Sequence, residues 1–327
     1  MKIKLWGARG SLPSPYTPRA VEKRITSVLE SFVRAGHSKL EDIEPFVKTL
    51  PRGQHGGFGG NTPCVTVTSA SGGTQAIIDG GTGIRLLAHE LLQGPCGKGK
   101  GEVHLFFTHF HWDHLIGLPF FVPIFIPGNT IHVYSVQEDL KRTFETLFQK
   151  PYFPISLEKL GARIVYHRLE PRKPFRHGEM TLTPYQLDHP DPCWGYRLEC
   201  DGKVYSHCVD TEAKRVSREE LGPDLPLYQG VDLMVFDSQY SLTEQMEKVD
   251  WGHAAAEIGL DIGIRESIPR MVFVHHDPSS TDFRISDGEA LARAYYEAQR
   301  RQARRNHESF PEIDFCFGHE GLEIDLD

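Results

Sequence analysis

Apolar and polar positions along this chain fall into two spacings, and the shorter one recurs from one end to the other. Runs with period-two or short, continuous β-branched and aromatic character occur at residues 2–6, 65–67, 75–78, 103–107, 130–134, 163–167, 180–187, 195–200, 203–207, 231–236, 270–274, 313–317 and 322–324. Alternation of this kind places successive side chains on opposite faces, so each run predicts a strand. Ser71-Gly72-Gly73 turns one hairpin, between 65–67 and 75–78. The longer spacing appears first at Val21, Ile25, Val28, Leu29 and Phe32, a helical stripe closed near Gly36, and then at Leu40, Ile43, Phe46, Val47 and Leu50 before Pro51. Together they predict a helical hairpin inserted at about 19–50, a cover for a site or a subunit contact. Further helices are predicted over 84–92, 138–149, 251–259 with His253 in its first turn, and 287–304.

Between these elements lie a glycine-rich loop at 53–60, which would let backbone approach a ligand closely, a flexible linker at 94–101 and a proline-punctuated region at 151–174. No linker separates independent units, so 1–327 reads as one domain, with two β-rich halves facing each other and helices interspersed.

Composition narrows the class. A chain of 327 residues can bury a sizeable core, and its net charge of −8 opposes a broad nucleic-acid or anionic-membrane footprint. The apolar run 120–126 is too short to span a bilayer and is broken by Pro123. Residues 1–6 read as a strand, not a signal peptide, and six scattered cysteines without CxxC pairing read as reduced thiols, so the expected location is cytoplasmic. Seventeen histidines is a high count, and several stand beside glycines or carboxylates.

The densest chemistry is Thr108-His109-Phe110-His111-Trp112-Asp113-His114, directly after the strand at 103–107. His109 and His111 are two apart and project to one side in extended chain; Asp113 and His114 follow once the chain turns. That arrangement can serve two metals. Imidazole with carboxylate suits Zn²⁺, with Mn²⁺ or Fe as alternatives. The same pattern of a strand followed by His or Asp recurs at His189, Asp210, Asp237 and His275. An aspartate after a strand often only makes a turn. Five such strand ends predict one sheet edge lined with ligands, where a carboxylate's two oxygens suit it to bridge paired ions.

These residues resemble the metallo-β-lactamase superfamily, in its branch of tRNA 3′-processing endonucleases and phosphodiesterases. The resemblance runs through Trp6-Gly7-Ala8-Arg9-Gly10-Ser11, Gly59-Gly60-Asn61-Thr62, Asp79-Gly80-Gly81-Thr82-Gly83, the HxHxDH cluster, Asp188-His189-Pro190, Asp210, Trp251-Gly252-His253 and the strand end at His275. It implies an α+β, four-layer αββα sandwich. It implies two divalent metals, one on His109, His111 and His189, the other on Asp113, His114 and His275, with Asp210 bridging. His276 is a rival to its neighbour His275, which closes the strand. Asp79 would hold a ligand or the cluster's backbone in place, and His253 matches a histidine near the scissile phosphate. The catalytic set so implied is Asp210, His253 and Asp113, acting with a hydroxide held between the metals.

The resemblance is less specific for substrate. The tRNA-processing enzymes usually carry a basic, glycine- and proline-rich arm between the cluster and the next ligand histidine, and no such arm is identifiable here. With the acidic balance, this favours a small or exposed phosphodiester over folded tRNA. A tRNA 3′-endonuclease and a metal-containing binding or regulatory module without turnover are the alternatives. The partners expected are a small phosphodiester and a second copy of the chain, with no membrane and with nucleic acid not favoured.

Overall fold

The computed structural model describes residues 1–326, and its strands follow the alternating runs closely. In chain order they are β1 (Lys2–Gly7), β2 (Cys64–Thr68), β3 (Gln75–Ile78), β4 (Glu102–Phe106), β5 (Thr130–Ser135), β6 (Arg163–Arg168) and β7 (Phe175–His177). Then come β8 (Met180–Gln186), β9 (Trp194–Cys200), β10 (Lys203–Cys208), β11 (Leu233–Asp237), β12 (Arg270–Val274), β13 (Asp314–Phe317) and β14 (Glu323–Asp325). The helices are α1 (Pro18–Arg34), α2 (Ile43–Thr49), α3 (Arg52–His55), α4 (Ile84–Leu91), α5 (Leu140–Leu147), α6 (Arg218–Leu221), α7 (Leu242–Glu247), α8 (Ala256–Glu266) and α9 (Asp282–Arg305).

The strands form two seven-stranded sheets, ordered β14-β1-β2-β3-β4-β5-β6 and β13-β12-β11-β10-β9-β8-β7. In the first, β3 to β6 run parallel; in the second, β10 to β13 do. Parallel strands need both faces covered, and the side chains divide accordingly. On β4, Val103 and Leu105 pack outward with Leu87 of α4 and Phe144 of α5. Phe106 turns inward and joins Ile3, Tyr134, Tyr196, Val235 and Val272 between the sheets. On the far side, Leu260 of α8 and Tyr296 of α9 cover Met234, Phe273 and Phe315. The layers are thus helix, sheet, sheet, helix: the four-layer αββα sandwich. No helix among the described residues is long and apolar enough to cross a membrane, and all six cysteines are free thiols.

The structure departs from the hydrophobic pattern in a few places, each for a local reason. α8 starts at Ala256, so His253 lies in the loop before it and not in a first helical turn. Gly252 at φ +87° cannot continue a helix, and Asp237 Oδ1 pins the Ala254 N–H at 3.2 Å. The start of the glycine-rich segment lies within the single turn α3, where Gly53 packs against α9. A Cβ there would come within 2.5 Å of Ser286 Oγ. α9 begins at Asp282, capped by Thr281, whose hydroxyl oxygen accepts from the Arg284 N–H at 3.3 Å. That first turn is anchored by polar contacts, so the apolar stripe did not announce it. The three-residue strand β7, at a sheet edge, is too short for alternation to mark it.

α1 and α2 stand where the helical hairpin was expected, between β1 and β2. Their packing decides what the apolar spacing left open, which face of the hairpin is turned inward. The inward face of α1 is largely polar: Gln54 Nε2 donates to Ser27 and Ser31, and Arg24 pairs with Asp282. Val28 and Phe32 are half-buried on that side, with Phe32 edge-on to Phe46 of α2. Val21, Ile25, Leu29 and Val33, spaced by four, face outward at 44–70% exposure.

Candidate metal centre

The C-terminal ends of the strands gather the chemistry. Asp79 follows β3; His109, His111, Asp113 and His114 follow β4; His189 follows β8; Asp210 follows β10; Asp237 ends β11; His275 follows β12. β8, β10, β11 and β12 all point the same way, so their exits share one edge. Three of these residues take the left-handed conformation, Asp79 at φ 62°, Asp210 at 62° and His275 at 65°. Asp and His are among the side chains that tolerate that region best, and the kink ends each strand where a ligand is needed.

Donor atoms converge in overlapping groups: His109 with His111 and His189, Asp113 with His114 and His275, and Asp210 within reach of both through His109, His114 and His275. Each of the five histidines has its outer nitrogen occupied. His109 Nδ1 donates to Thr108 Oγ1 at 3.0 Å, whose own hydroxyl donates to Asp79 Oδ2 at 2.9 Å. His111 Nε2 meets Asp191 Oδ2 at 2.8 Å, and His189 Nδ1 the Gly252 carbonyl at 3.0 Å. His114 Nδ1 donates to Asp79 Oδ2 at 2.8 Å, and His275 Nδ1 to Gln239 Oε1 at 2.8 Å. An imidazole whose far N–H is engaged presents a lone pair at its near nitrogen, the form that binds a metal.

Apart from His275 Nε2, which faces Asp113 and Asp210, the near atoms are poorly matched. His111 Nδ1 and His189 Nε2 face each other at 3.2 Å, and with their other nitrogens donating outward both turn lone pairs to the same space. His109 Nε2, His114 Nε2 and Asp210 Oδ2 are fully buried without a hydrogen bond, although the last two lie 2.9 Å apart. A buried polar atom left unpaired costs about 1–3 kcal/mol. Three of them around one point fit a cation that the chain does not itself supply. Charge agrees. Burial opposes ionisation of Asp113, yet His114 and His275 hold its carboxyl well below the usual range. Burial disfavours a charged His275 too, but Asp210, Asp113 and Asp237 raise it to about 9. Without metal, protons on His114 and His275 supply the positive charge that the carboxylates demand. The clustered histidines and aspartates thus suit a dinuclear site.

Asp210 is placed to bridge. Its Oδ1 lies 3.2 Å from His275 Nε2 and its Oδ2 2.9 Å from His114 Nε2, both of one ligand group, while His109 of the other group also lies within reach of the carboxylate. Asp113 Oδ2 accepts the Ser11 N–H at 2.7 Å, which fixes it against the loop after β1. Gly10 in that loop lies directly on the His275 ring; a Cβ there would come within 2.2 Å of Nδ1. His253 Nδ1 donates to Asp237 Oδ2 at 2.9 Å, and its ring stacks on His275 at 4.8 Å between centroids. That bond occupies Nδ1 and leaves Nε2 as the ring's other nitrogen.

The structure brings every expected ligand to this centre and separates the two neighbouring histidines. His275 joins the cluster, while His276 bonds the Gly318 carbonyl at 2.8 Å and lies flat against Phe317, outside it. Asp79 binds Thr108 and His114 at once, from full burial. Two roles were not read from the chain. Asp237, noted as a strand end, holds His253, the Asp210 N–H and the turn to α8 together. Gln239 orients His275 with no signal in its neighbours along the chain.

Comparison with known proteins agrees with this picture. A family model described as a beta-lactamase superfamily domain matches residues 74–276. A Ribonuclease Z of Staphylococcus carnosus is 27% identical over 166 residues, which make up 50% of this chain and 51% of that protein. The chain thus spans about half the length of the curated relatives it matches. Zn²⁺-bound PqqB from Methylobacterium extorquens superposes over 100% of both chains with a TM-score of 0.60 at 15% identity. A diphosphatase of the PhnP family does so over 100% of this chain and 98% of its own, with a TM-score of 0.58 at 15% identity. At such identities the likeness is one of fold.

Proposed function

Since the chain belongs to the metallo-β-lactamase superfamily, with relatives among the Ribonucleases Z and BN, we propose that it is a dinuclear metal-dependent phosphodiesterase acting on a small or exposed phosphodiester. The observation that carries this reading is the convergence of His109 Nε2, His114 Nε2 and Asp210 Oδ2, all buried around one point, beside a histidine held by a carboxylate, His253 on Asp237. His109, His111 and His189 would hold one ion, Asp113, His114 and His275 the other, and Asp210 would bridge. Zinc suits the imidazole-rich set best, with Mn²⁺ or Fe as the ions to compare. When bound, such ions activate water and neutralise charge on phosphoryl oxygens. The remaining work belongs to side chains. Asp237 keeps the Nδ1 proton of His253 in place, so Nε2 is the nitrogen that can deliver a proton to the departing oxygen.

The surroundings support a small substrate. Beside His111 the cleft is lined by Phe110, Gln137, Glu138, Asp139, Asp191 and Trp194, an acidic wall that repels an extended phosphate backbone. Residues 115–188, where a basic arm was sought, are taken up by β5, α5, β6, β7, β8 and their connections. Exposed Trp112, flanking the site, offers a flat face to a base or aryl group. We assign the protein a dimeric state as well, through the outward stripe of α1, and a cytoplasmic location.

The purified protein is expected to carry about two metals per chain and to hydrolyse bis-p-nitrophenyl phosphate. Asp210→Ala should lose metal or activity; retention of both would sink the assignment. The Ribonuclease Z and BN relatives favour a second reading, a tRNA 3′-processing endonuclease. Cleavage of precursor tRNA after the discriminator base would establish it, and an intact precursor under saturating enzyme would exclude it. Binding of a phosphodiester with no turnover under Zn²⁺, Mn²⁺ or Fe would instead mark a regulatory module.

A further inference from the structure

The inner face of the first sheet carries a second group of imidazoles that the metal centre does not use. Register pairs His104 of β4 with His132 of β5, and Tyr134 of β5 with His167 of β6. They share the face of Phe106 and Tyr134, which is turned toward the second sheet. His177, at the end of β7 in that second sheet, closes on His104 with ring centroids 4.1 Å apart. The group lies along the strands, not at the exits that build the dinuclear centre.

Its geometry has the same logic as that centre. Glu102 Oε1 stands 2.8 Å from His132 Nε2 and 3.8 Å from His104 Nε2. The two rings stack almost parallel, at 4.7 Å and 4°, so both present Nε2 to the one carboxylate. Their other nitrogens are occupied: His104 Nδ1 meets the Tyr134 hydroxyl at 2.9 Å, and His132 Nδ1 meets His167 Nε2 at 2.9 Å. Outer partners of this kind fix ring orientation in metal-binding histidines. The three donor atoms lie within 4.8 Å of one another. Burial and neighbouring imidazoles push His104 down to about 3 and lower His167 and His177, so these rings are neutral at ordinary pH. Of the four imidazoles, His104 and His132 face the Glu102 carboxylate, while His167 backs His132 and His177 Nε2 bonds the Gln75 carbonyl at 3.0 Å.

We propose that Glu102, His104 and His132 form a metal site separate from the dinuclear centre, taking a divalent transition-metal ion of the zinc type. Two imidazoles and one carboxylate are a sound donor set for such an ion, and solvent reaches the site beside exposed Glu102 to complete the coordination. The ion would clamp β4 to β5 beneath β7.

The test is metal counting on chelator-stripped protein reloaded with Zn²⁺ and freed of excess by gel filtration. His132→Gln is expected to hold about one equivalent less than the unaltered protein, and Glu102→Gln, a change at an exposed side chain that leaves folding intact, to show the same loss. Both should keep the phosphodiesterase activity of the unaltered protein, whatever its level. Asp210→Ala, which disrupts the other centre, should retain about one equivalent. Equal zinc content in Glu102→Gln and the unaltered protein would overturn the site even if His132→Gln fails to fold. A metal-free Asp210→Ala would do so as well. Loss of the dinuclear centre's own ions would leave the difference between Glu102→Gln and the unaltered protein still readable.

Discussion

His253 shows how much of a role is set by one contact. A histidine before a helix is commonly an exposed capping residue, yet here Asp237 grips Nδ1 at 2.9 Å and leaves Nε2 alone available. If it donates the proton to the leaving oxygen, His253→Ala should lower kcat by about 10²–10⁴ while two-metal content is kept. Asp237→Asn should lower kcat less while KM and two-metal content are kept, a split that a purely structural residue would not show. Metal loss in His253→Ala would make it a ligand instead. Gly10 is a second residue whose identity is dictated by one approach. Because a Cβ would fall 2.2 Å from His275 Nδ1, Gly10→Ala should displace that ring from Gln239 and reduce metal content, measured against the unaltered protein by mass spectrometry.

At the scale of elements, α1 is the piece whose amphipathic pattern is legible and whose orientation is not. Its apolar positions spread over more than one face, and periodicity alone cannot choose which face is turned inward. The choice falls to Gln54, Ser27, Ser31 and the Arg24–Asp282 pair, which draw the polar side against α3 and α9. Ile25 and Leu29 are then left at 55% and 57% exposure. A contiguous apolar stripe of this kind marks an interaction surface. Light scattering at micromolar concentration should find a dimer, and Ile25→Asp with Leu29→Asp should convert it to monomer without loss of metal. The same charges at Val28 and Phe32, half-buried within the hairpin, would instead disturb folding. A monomeric unaltered protein would end the dimer proposal. α8 carries the opposite lesson: its apolar spacing is real, but Gly252 at positive φ and the grip of Asp237 on the Ala254 N–H delay its start to Ala256.

At the scale of the molecule, the metal centre couples to the stability of the whole sandwich, because its ligands leave strands of both sheets. In metal-free protein the raised His275 favours the folded state most fully below its unfolded value of about 6.5. That contribution is lost as pH rises through about 9. Thermal melts of chelator-stripped protein should therefore show Tm falling across that window, and metal should both raise Tm and remove the slope, since cations replace the protons. A stripped protein with flat Tm from pH ~6.5 to about 9 would contradict the charge balance described for the centre. The sequence alone determined where the strands lie and which side chains stand at their exits, because alternation and residue type are properties of neighbours along the chain. It could not tell His275 from His276, since both follow the same strand and only the backbone's left-handed turn at 65° sends one into the cluster. Nor could it find the hold of Asp237 on His253 or the meeting of Glu102, His104 and His132. Those depend on which strands pair, in which register and how two sheets face each other, and such contacts join residues far apart in the chain.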